Sequence, residues 1–569
     1  MQSELKLYRV PKIFSIQDML LQSARKYEFK LAMEDLTDTP IKKVNYGELL
    51  DYVLRFGNAL LKLGIKERSH IAVIGENRVQ WAISYLTCMT FNHVVIPIDK
   101  NLTQNEILNI LHESDAEVII FSGSFAEMFV GLQKSLKKLK YFICMDESAL
   151  GENFHDMCKL IQNNEPFPKD NLPKINPNEM AEIIFTSGSL GRAKGVMLSQ
   201  NNLSSNLMDM VSMLFMYPED RFLSILPIHH TYECTCGMLC PLYCGSSVHY
   251  ARSLKTIVDD LQKVKATVFL GVPLLYDKMF KKIMKSIKED KVKEKIVPPL
   301  IKVTNLLSMV GLSNFKKKIF KELHNRFGGS IRVFIAGGAA PDPQVAKGLR
   351  EFGFNFIQGY GLTETSPILA LNQLNRFKDD AAGLPLPSVH IKINDPDSNG
   401  SGEIFAKAPN VMLGYYKNEQ ITKESFEDGW FKTGDIGYID SDGFLHINGR
   451  KKNVIISRSG KNVFPEEIED VLNRSPFILE SLVYGEKDEK HDEIIAVKIV
   501  VDAEAFIELS ETKSIQISEK LIHDTIEEEV NKANSQLAPH KKIVKFYIQE
   551  KEFEKTTTQK IKRYLVKND

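Results

Sequence analysis

The chain has 569 residues, 43% hydrophobic and 26% charged, and its 73 basic side chains are balanced by 73 acidic ones. This is the composition of a globular protein of about two to four domains at roughly 150 residues each. It excludes disorder as the main state and any global field toward nucleic acid, so no nucleic-acid partner is expected. Seven Cys are too few for a disulfide scaffold. Neither a leader peptide nor a transmembrane-length apolar run is legible, so the expected location is the cytoplasm.

Helical periodicity over residues 46–63 is followed by the apolar run His70-Ile-Ala-Val-Ile74, and periodicity over 103–114 by Glu117-Val-Ile-Ile-Phe121. Ala181-Glu-Ile-Ile-Phe185, Thr267-Val-Phe-Leu270 and Ile331-Arg-Val-Phe-Ile335 continue the series. Short β-branched runs alternating with helices predict an α/β fold of layered, largely parallel sheets. Residues 276–326 hold 13 Lys and one Arg against five acids. Such a segment is either a solvated helical face or a weak peripheral contact with anionic lipid on the inner membrane face. Pro298-Pro299 is expected to break it.

Beyond residue 385 the Asp/Asn-Gly steps at 394–400, 427–430 and 440–443 predict a small antiparallel β region. A strand at 493–501 and an amphipathic helix carrying Ile515, Leu521, Ile522, Ile526 and Val530 complete a small α+β portion. Cys234, Cys236, Cys240 and Cys244 lack the paired knuckle spacing of a zinc site; they read as buried small residues on a helix.

The chemistry-bearing segments begin with Thr186-Ser-Gly-Ser-Leu-Gly-Arg-Ala-Lys-Gly195 after a predicted strand. Its glycines permit close backbone approach to an anion, its hydroxyls (Thr186, Ser187, Ser189) can donate to phosphate oxygens, and Lys194 brings a point charge. Ala193 before Lys194 and Gly195 after it exclude the Walker pattern. The loop, with Gly188 and Gly191, resembles the signature of the adenylate-forming acyl-CoA synthetases, the AMP-binding superfamily. Leu190 stands where Thr is usual and Ala193 where Pro is usual.

Further segments resemble that family in order along almost the whole chain. Leu226-Pro-Ile-His-His-Thr-Tyr-Glu233 resembles the substrate-side motif, which implies His230 at the acyl pocket. Gly338 and Ala339, then Gln358, Gly359, Tyr360 and Gly361, fall on the adenine pocket; Thr363 and Glu364 fall on the phosphate and magnesium positions. The resemblance also implies Asp435 on the ribose, Arg450 on ribose or phosphate, a hinge near Lys452, and Gly460 beside the pantetheine arm. Lys555-Thr-Thr-Thr-Gln-Lys-Ile-Lys-Arg563 places Lys560 on the catalytic lysine, with Lys562 as competitor.

The implied layout is a large N-terminal domain over residues 1–450 and a small mobile C-terminal domain over 451–569. The implied cofactors are ATP, Mg²⁺ and coenzyme A. The implied reaction is activation of a medium- or long-chain fatty acid to acyl-AMP, then thioester formation with coenzyme A. Two alternatives are an acyl carrier protein as acceptor and a non-catalytic AMP- or acyl-binding regulator.

Overall fold

A computed structural model describes residues 6–133, 135–147, 151, 153–186, 193–309, 314–457, 461–488, 493–555 and 561–566. The predicted helices form where their caps lie. Asn45 and Glu48 exchange side-chain and backbone bonds at the start of Tyr46–Lys62, and Thr103 with Glu106 does the same for Gln104–Glu113.

The chain divides into two compact units. The first comprises Met1–Ile391 and Ala406–Phe431. It holds an eight-stranded sheet in the order Gly414–Tyr415, Lys194–Ser199, Met180–Thr186, Val94–Ile98, His70–Ile74, Val118–Phe121, Tyr141–Cys144, Phe154–Asp156. Its pairs are parallel except at the Met180–Thr186/Lys194–Ser199 hairpin and the Gly414–Tyr415 edge. A nine-stranded sheet in the same unit runs parallel from Phe356–Gly361 through Val333–Ala336, Val268–Gly271, Arg221–Ser224 and Ser247–Tyr250 to Leu31–Asp35, with antiparallel strands at both ends. The helix Val79–Thr90 touches both sheets, and every one of its residues is buried. Apolar all round, it can only be a core helix. The expected α/β architecture is present.

The basic segment differs from its sequence reading. Helix Pro273–Glu289 ends at Asp290, whose carboxylate accepts the N–H groups of Val292 and Lys293 and so caps the next helix, Lys291–Met309. That helix runs through Pro298 and Pro299. The prolines deprive the carbonyls of Glu294 and Lys295 of donors, and both residues are exposed, so water can satisfy them. The break therefore falls at Asp290, not at the proline pair.

The second unit comprises Lys392–Phe405 and Lys432–Asp569. Its antiparallel pairing sets Asp435 opposite Arg450 and Ile439 opposite Leu445, and Ile478–Lys487, Glu493–Val501 and Lys545–Gln549 form a second sheet. Ile526, Val530 and Ala533 of helix Glu519–Gln536 are buried against that sheet's apolar face, while Ile515 precedes the helix, which Ser518 caps.

Candidate functional site

The phosphate segment is a β-hairpin. Thr186 pairs with Lys194 across it; Ser187, Gly188, Ser189, Leu190 and Gly191 lie outside the described residues. The Lys194 ammonium sits 5.1 Å from the centre of the Tyr415 ring, on the edge strand that pairs with Lys194–Ser199. The Tyr415 hydroxyl donates to Glu364 Oε1 at 2.9 Å, and the Met412 N–H donates to the Glu364 carbonyl at 2.8 Å. Lys194 and Glu364, far apart in sequence, are thus joined through one tyrosine.

Glu364 follows the strand Phe356–Gly361, where Gln358, Gly359, Tyr360 and Gly361 lie. A Cβ on Gly361 would fall 1.8 Å from the Pro367 carbonyl oxygen, so only glycine lets the chain fold back here. The returning Ile368 carbonyl accepts from Asn206 at 2.7 Å and from Asn410 at 2.8 Å. Asn206 belongs to the helix Gln200–Met213, which follows the phosphate hairpin directly; Ser199, the hairpin's last residue, caps it. The Gln358 side chain donates to the Asp379 carbonyl at 2.9 Å, bracing its own loop. Gly338 (φ +87°) and Ala339 form an exposed bend after Val333–Ala336.

Beside these strands lies an apolar pocket lined by Met210, Leu214, Cys236, Leu270, Gly337 and Gly359, among others. It holds about 470 Å³ of empty space, open solvent at its mouth included. Met210 comes from the same helix as Asn206. Cys236 comes from the π-helix Tyr232–Leu239, which continues as Cys240–Cys244; Cys234, Cys240 and Cys244 are buried, as small apolar residues would be.

The segment before that π-helix is held by Asn77. Its amide donates to Ser224 Oγ at 3.0 Å and to the Leu226 carbonyl at 2.6 Å, while its oxygen accepts the Ile228 N–H at 3.1 Å. His230 Nδ1 accepts the Tyr232 N–H at 3.2 Å, which puts the proton of the neutral ring on Nε2. Its neighbour His229 lies 3.7 Å from Asp99, and burial lowers its pKa despite that carboxylate. Deeper, Glu233 is fully buried, and desolvation pushes its carboxyl up to about 8, offset only in part by Ser224. Glu182 is also pushed up to about 8 by burial, against a 3.2 Å bond from the Tyr85 hydroxyl. Both are protonated at neutral pH.

In the second unit, Arg450 Nε meets Asp435 Oδ1 at 2.8 Å, and Asp435 is almost fully buried. Lys452 is exposed in the turn Lys451–Asn453. Gly460 and Lys560 lie outside the described residues. The chain flanking Lys560 is pinned: Lys555 bridges to Ile561 and pairs with Glu480 at 2.7 Å, and Arg563 pairs with the buried Glu469. Lys562 Nζ is 3.9 Å from Glu554.

The family model described as AMP-binding enzyme matches residues 20–416, and the AMP-binding enzyme C-terminal domain matches 452–569. The chain belongs to the AMP-binding enzyme family. It is 27% identical to the long-chain-fatty-acid–CoA ligase FadD15 of Mycobacterium bovis, over 97% of this chain and 95% of that one. It is 30% identical to long-chain-fatty-acid–CoA ligase 5 of Rattus norvegicus (79% and 70%). It is 28% identical to the chloroplastic long-chain-fatty-acid–[acyl-carrier-protein] ligase AEE15 of Arabidopsis thaliana (83% and 75%). The crystal structure of an anthranilate CoA ligase in complex with anthranoyl-AMP shares the fold, with a TM-score of 0.77 over 98% of this chain and 97% of that one at 18% identity.

The family uses ATP, Mg²⁺ and coenzyme A. Glu364 suits the cation: one oxygen accepts from Tyr415, and the other has no hydrogen-bond partner among the described residues. A single carboxylate, with Thr363 the residue before it in the chain, fits a hard ion that keeps waters and phosphate oxygens. The sequence motifs gave no hint of Tyr415 or Asn77, which act through residues distant in the chain. No helix among the described residues is long and apolar enough to cross a membrane.

Proposed function

We propose that the chain is an ATP- and Mg²⁺-dependent ligase that converts a medium- or long-chain fatty acid to its adenylate and then to a coenzyme A thioester. One observation carries this reading: an apolar pocket of alkyl-chain character shares the strand Phe356–Gly361 with the segment leading to Glu364.

In the first half-reaction the carboxylate oxygen attacks the α-phosphorus of ATP and pyrophosphate departs. The pocket holds the acid's tail, with each buried methylene contributing about 0.8 kcal/mol. The segment containing Thr186, Ser187, Gly188, Ser189, Gly191 and Lys194 binds phosphate oxygens. Gly338, Ala339, Gln358, Gly359, Tyr360 and Gly361 form the purine site, and Asp435 with Arg450 takes the ribose. Glu364, with Thr363 before it in the chain, would hold Mg²⁺, which would supply positive charge against the departing phosphates. Lys560 donates to the charge developing between carboxylate and α-phosphate. In the second half-reaction the thiol attacks the acyl carbon and AMP leaves. Residues 451–569 move as a domain about Lys452, Gly460 lines the thiol's path, and His230 lines the acyl side.

A pyrophosphate-release assay over acids of increasing length tests the reading. Mg²⁺-dependent release with aliphatic acids, followed by a coenzyme A thioester, is the expected result. No AMP with any aliphatic acid overturns it. The carrier-protein ligase among the relatives makes acyl carrier protein the second acceptor to try, by exchanging it for coenzyme A in the same assay.

A further inference from the structure

The helix Lys291–Met309 presents two faces. Val297, Leu300 and Ile301 pack onto the apolar core of the first unit, and Thr304 is buried beside them. On another face Val292, Ile296, Val303 and Leu306 are 64%, 52%, 54% and 66% exposed. At 3.6 residues per turn these four fall within an arc of about 80°, a stripe about 21 Å long. Pro299 lies in the same arc and is exposed too. Isolated exposed aliphatics are ordinary, but four in register on one helix are not.

The charges beside the stripe are one-sided. Lys291, Lys295 and Lys302 follow its edge, and all three are exposed. None of them makes an ion pair among the described residues, whereas Lys293, on the opposite flank, pairs with Asp290 at 3.5 Å. The preceding helix Pro273–Glu289 adds further lysines at 278, 281, 282, 285 and 288.

We propose that Lys291–Met309 is an in-plane anchor that lays its aliphatic stripe into the interface of an anionic lipid bilayer, with Lys291, Lys295 and Lys302 on the headgroups. An aliphatic stripe edged by lysine is the pattern of a helix lying in a lipid interface. Protein–protein patches are instead enriched in aromatic residues and arginine and depleted in lysine, and this stripe has no aromatic residue or arginine. The proposal goes beyond acyl activation and does not depend on it. It concerns where the enzyme sits, on the surface in which long-chain acids themselves partition.

The test is co-sedimentation of the full-length protein with vesicles of phosphatidylcholine alone and of phosphatidylcholine mixed with phosphatidylglycerol. Strong binding is expected only to the mixed vesicles, weakening as salt rises. Two variants separate the contributions: Val303→Asp with Leu306→Asp, and Lys291→Glu with Lys295→Glu and Lys302→Glu. Each should lower binding to the anionic vesicles by about tenfold or more. Both change exposed side chains, so thermal unfolding and pyrophosphate release with a short water-soluble acid should stay at wild-type values. Wild-type protein that ignores anionic vesicles, or variants that bind them undiminished, overturns the proposal. So does retention by an acidic carrier protein through the same residues without any vesicle binding.

Discussion

Lys194, Tyr415 and Glu364 are fixed to one another by a ring contact and a hydrogen bond, whereas the neighbouring pocket is walled by Met210, Leu214, Cys236 and Leu270, which meet through carbon and sulfur, the Cys236 thiol lying 3.6 Å from Met210 Sδ. The charged group needs particular atoms at particular distances, because it must meet phosphate oxygens and a cation. The pocket needs only shape and dryness, because dispersion and water release do not depend on which carbon touches which. Substitutions in the first region should therefore change rate for every acid. Substitutions in the second should change which acid is chosen.

The most damaging change on the charged side should be Lys560→Ala. Adenylation is expected to fall by roughly two to three decades, the scale of losing a transition-state donor, with thioester formation from supplied acyl-AMP largely spared. Equal loss of both half-reactions in quench-flow measurements would remove Lys560 from its role. Next, Glu364→Gln should lower kcat/KM by about a hundredfold with a raised Mg²⁺ requirement, and Tyr415→Phe by about tenfold, the loss of one bond to a charged group. A Tyr415→Phe enzyme with wild-type Mg²⁺ titration would mean that the tyrosine does not set the carboxylate.

On the apolar side, Cys236→Trp should fill the pocket and shift the optimum to shorter acids, at about fourfold in kcat/KM per excluded methylene. A uniform fall across chain lengths would show that the pocket is not where the tail lies.

The smallest effect concerns the buried carboxyl of Glu233. Glu233 is held at about 8 against an ordinary value near 4.5. The folded state therefore keeps a proton that the unfolded chain releases. Stability is full below about pH 4.5 and is lost as pH rises through about 8. Glu233→Gln should flatten that slope in denaturation midpoints; an unchanged slope would assign it elsewhere, with Glu182 the next candidate.

The two regions also differ in how far the sequence discloses them. The hairpin around Thr186 and Lys194 is legible because glycines and hydroxyls must be close together in the chain to surround one anion. The Asp428-Gly429 turn is legible because both residues take positive φ, which few residue types accept. Tyr415 and Asn77 are not legible, since each acts on partners in remote segments, and a tyrosine or an asparagine has many structural uses. Nor can the pocket be read from Met210, Leu270 or Gly337, because apolar residues line any core. The run through Pro298 and Pro299 is a different case. Proline's helix-breaking tendency is local, and the capping carboxylate of Asp290, the apolar packing of the inner face and hydration of the freed carbonyls together outweigh it.

The helix Gln200–Met213 has three clients: it starts where the phosphate hairpin stops, grips the Ile368 turn through Asn206, and offers Met210 to the apolar pocket. A rigid rod with three attachments cannot yield at one of them without loading the others. Tail and nucleotide should therefore assist each other's capture, so that the apparent affinity for ATP tightens as the acid lengthens.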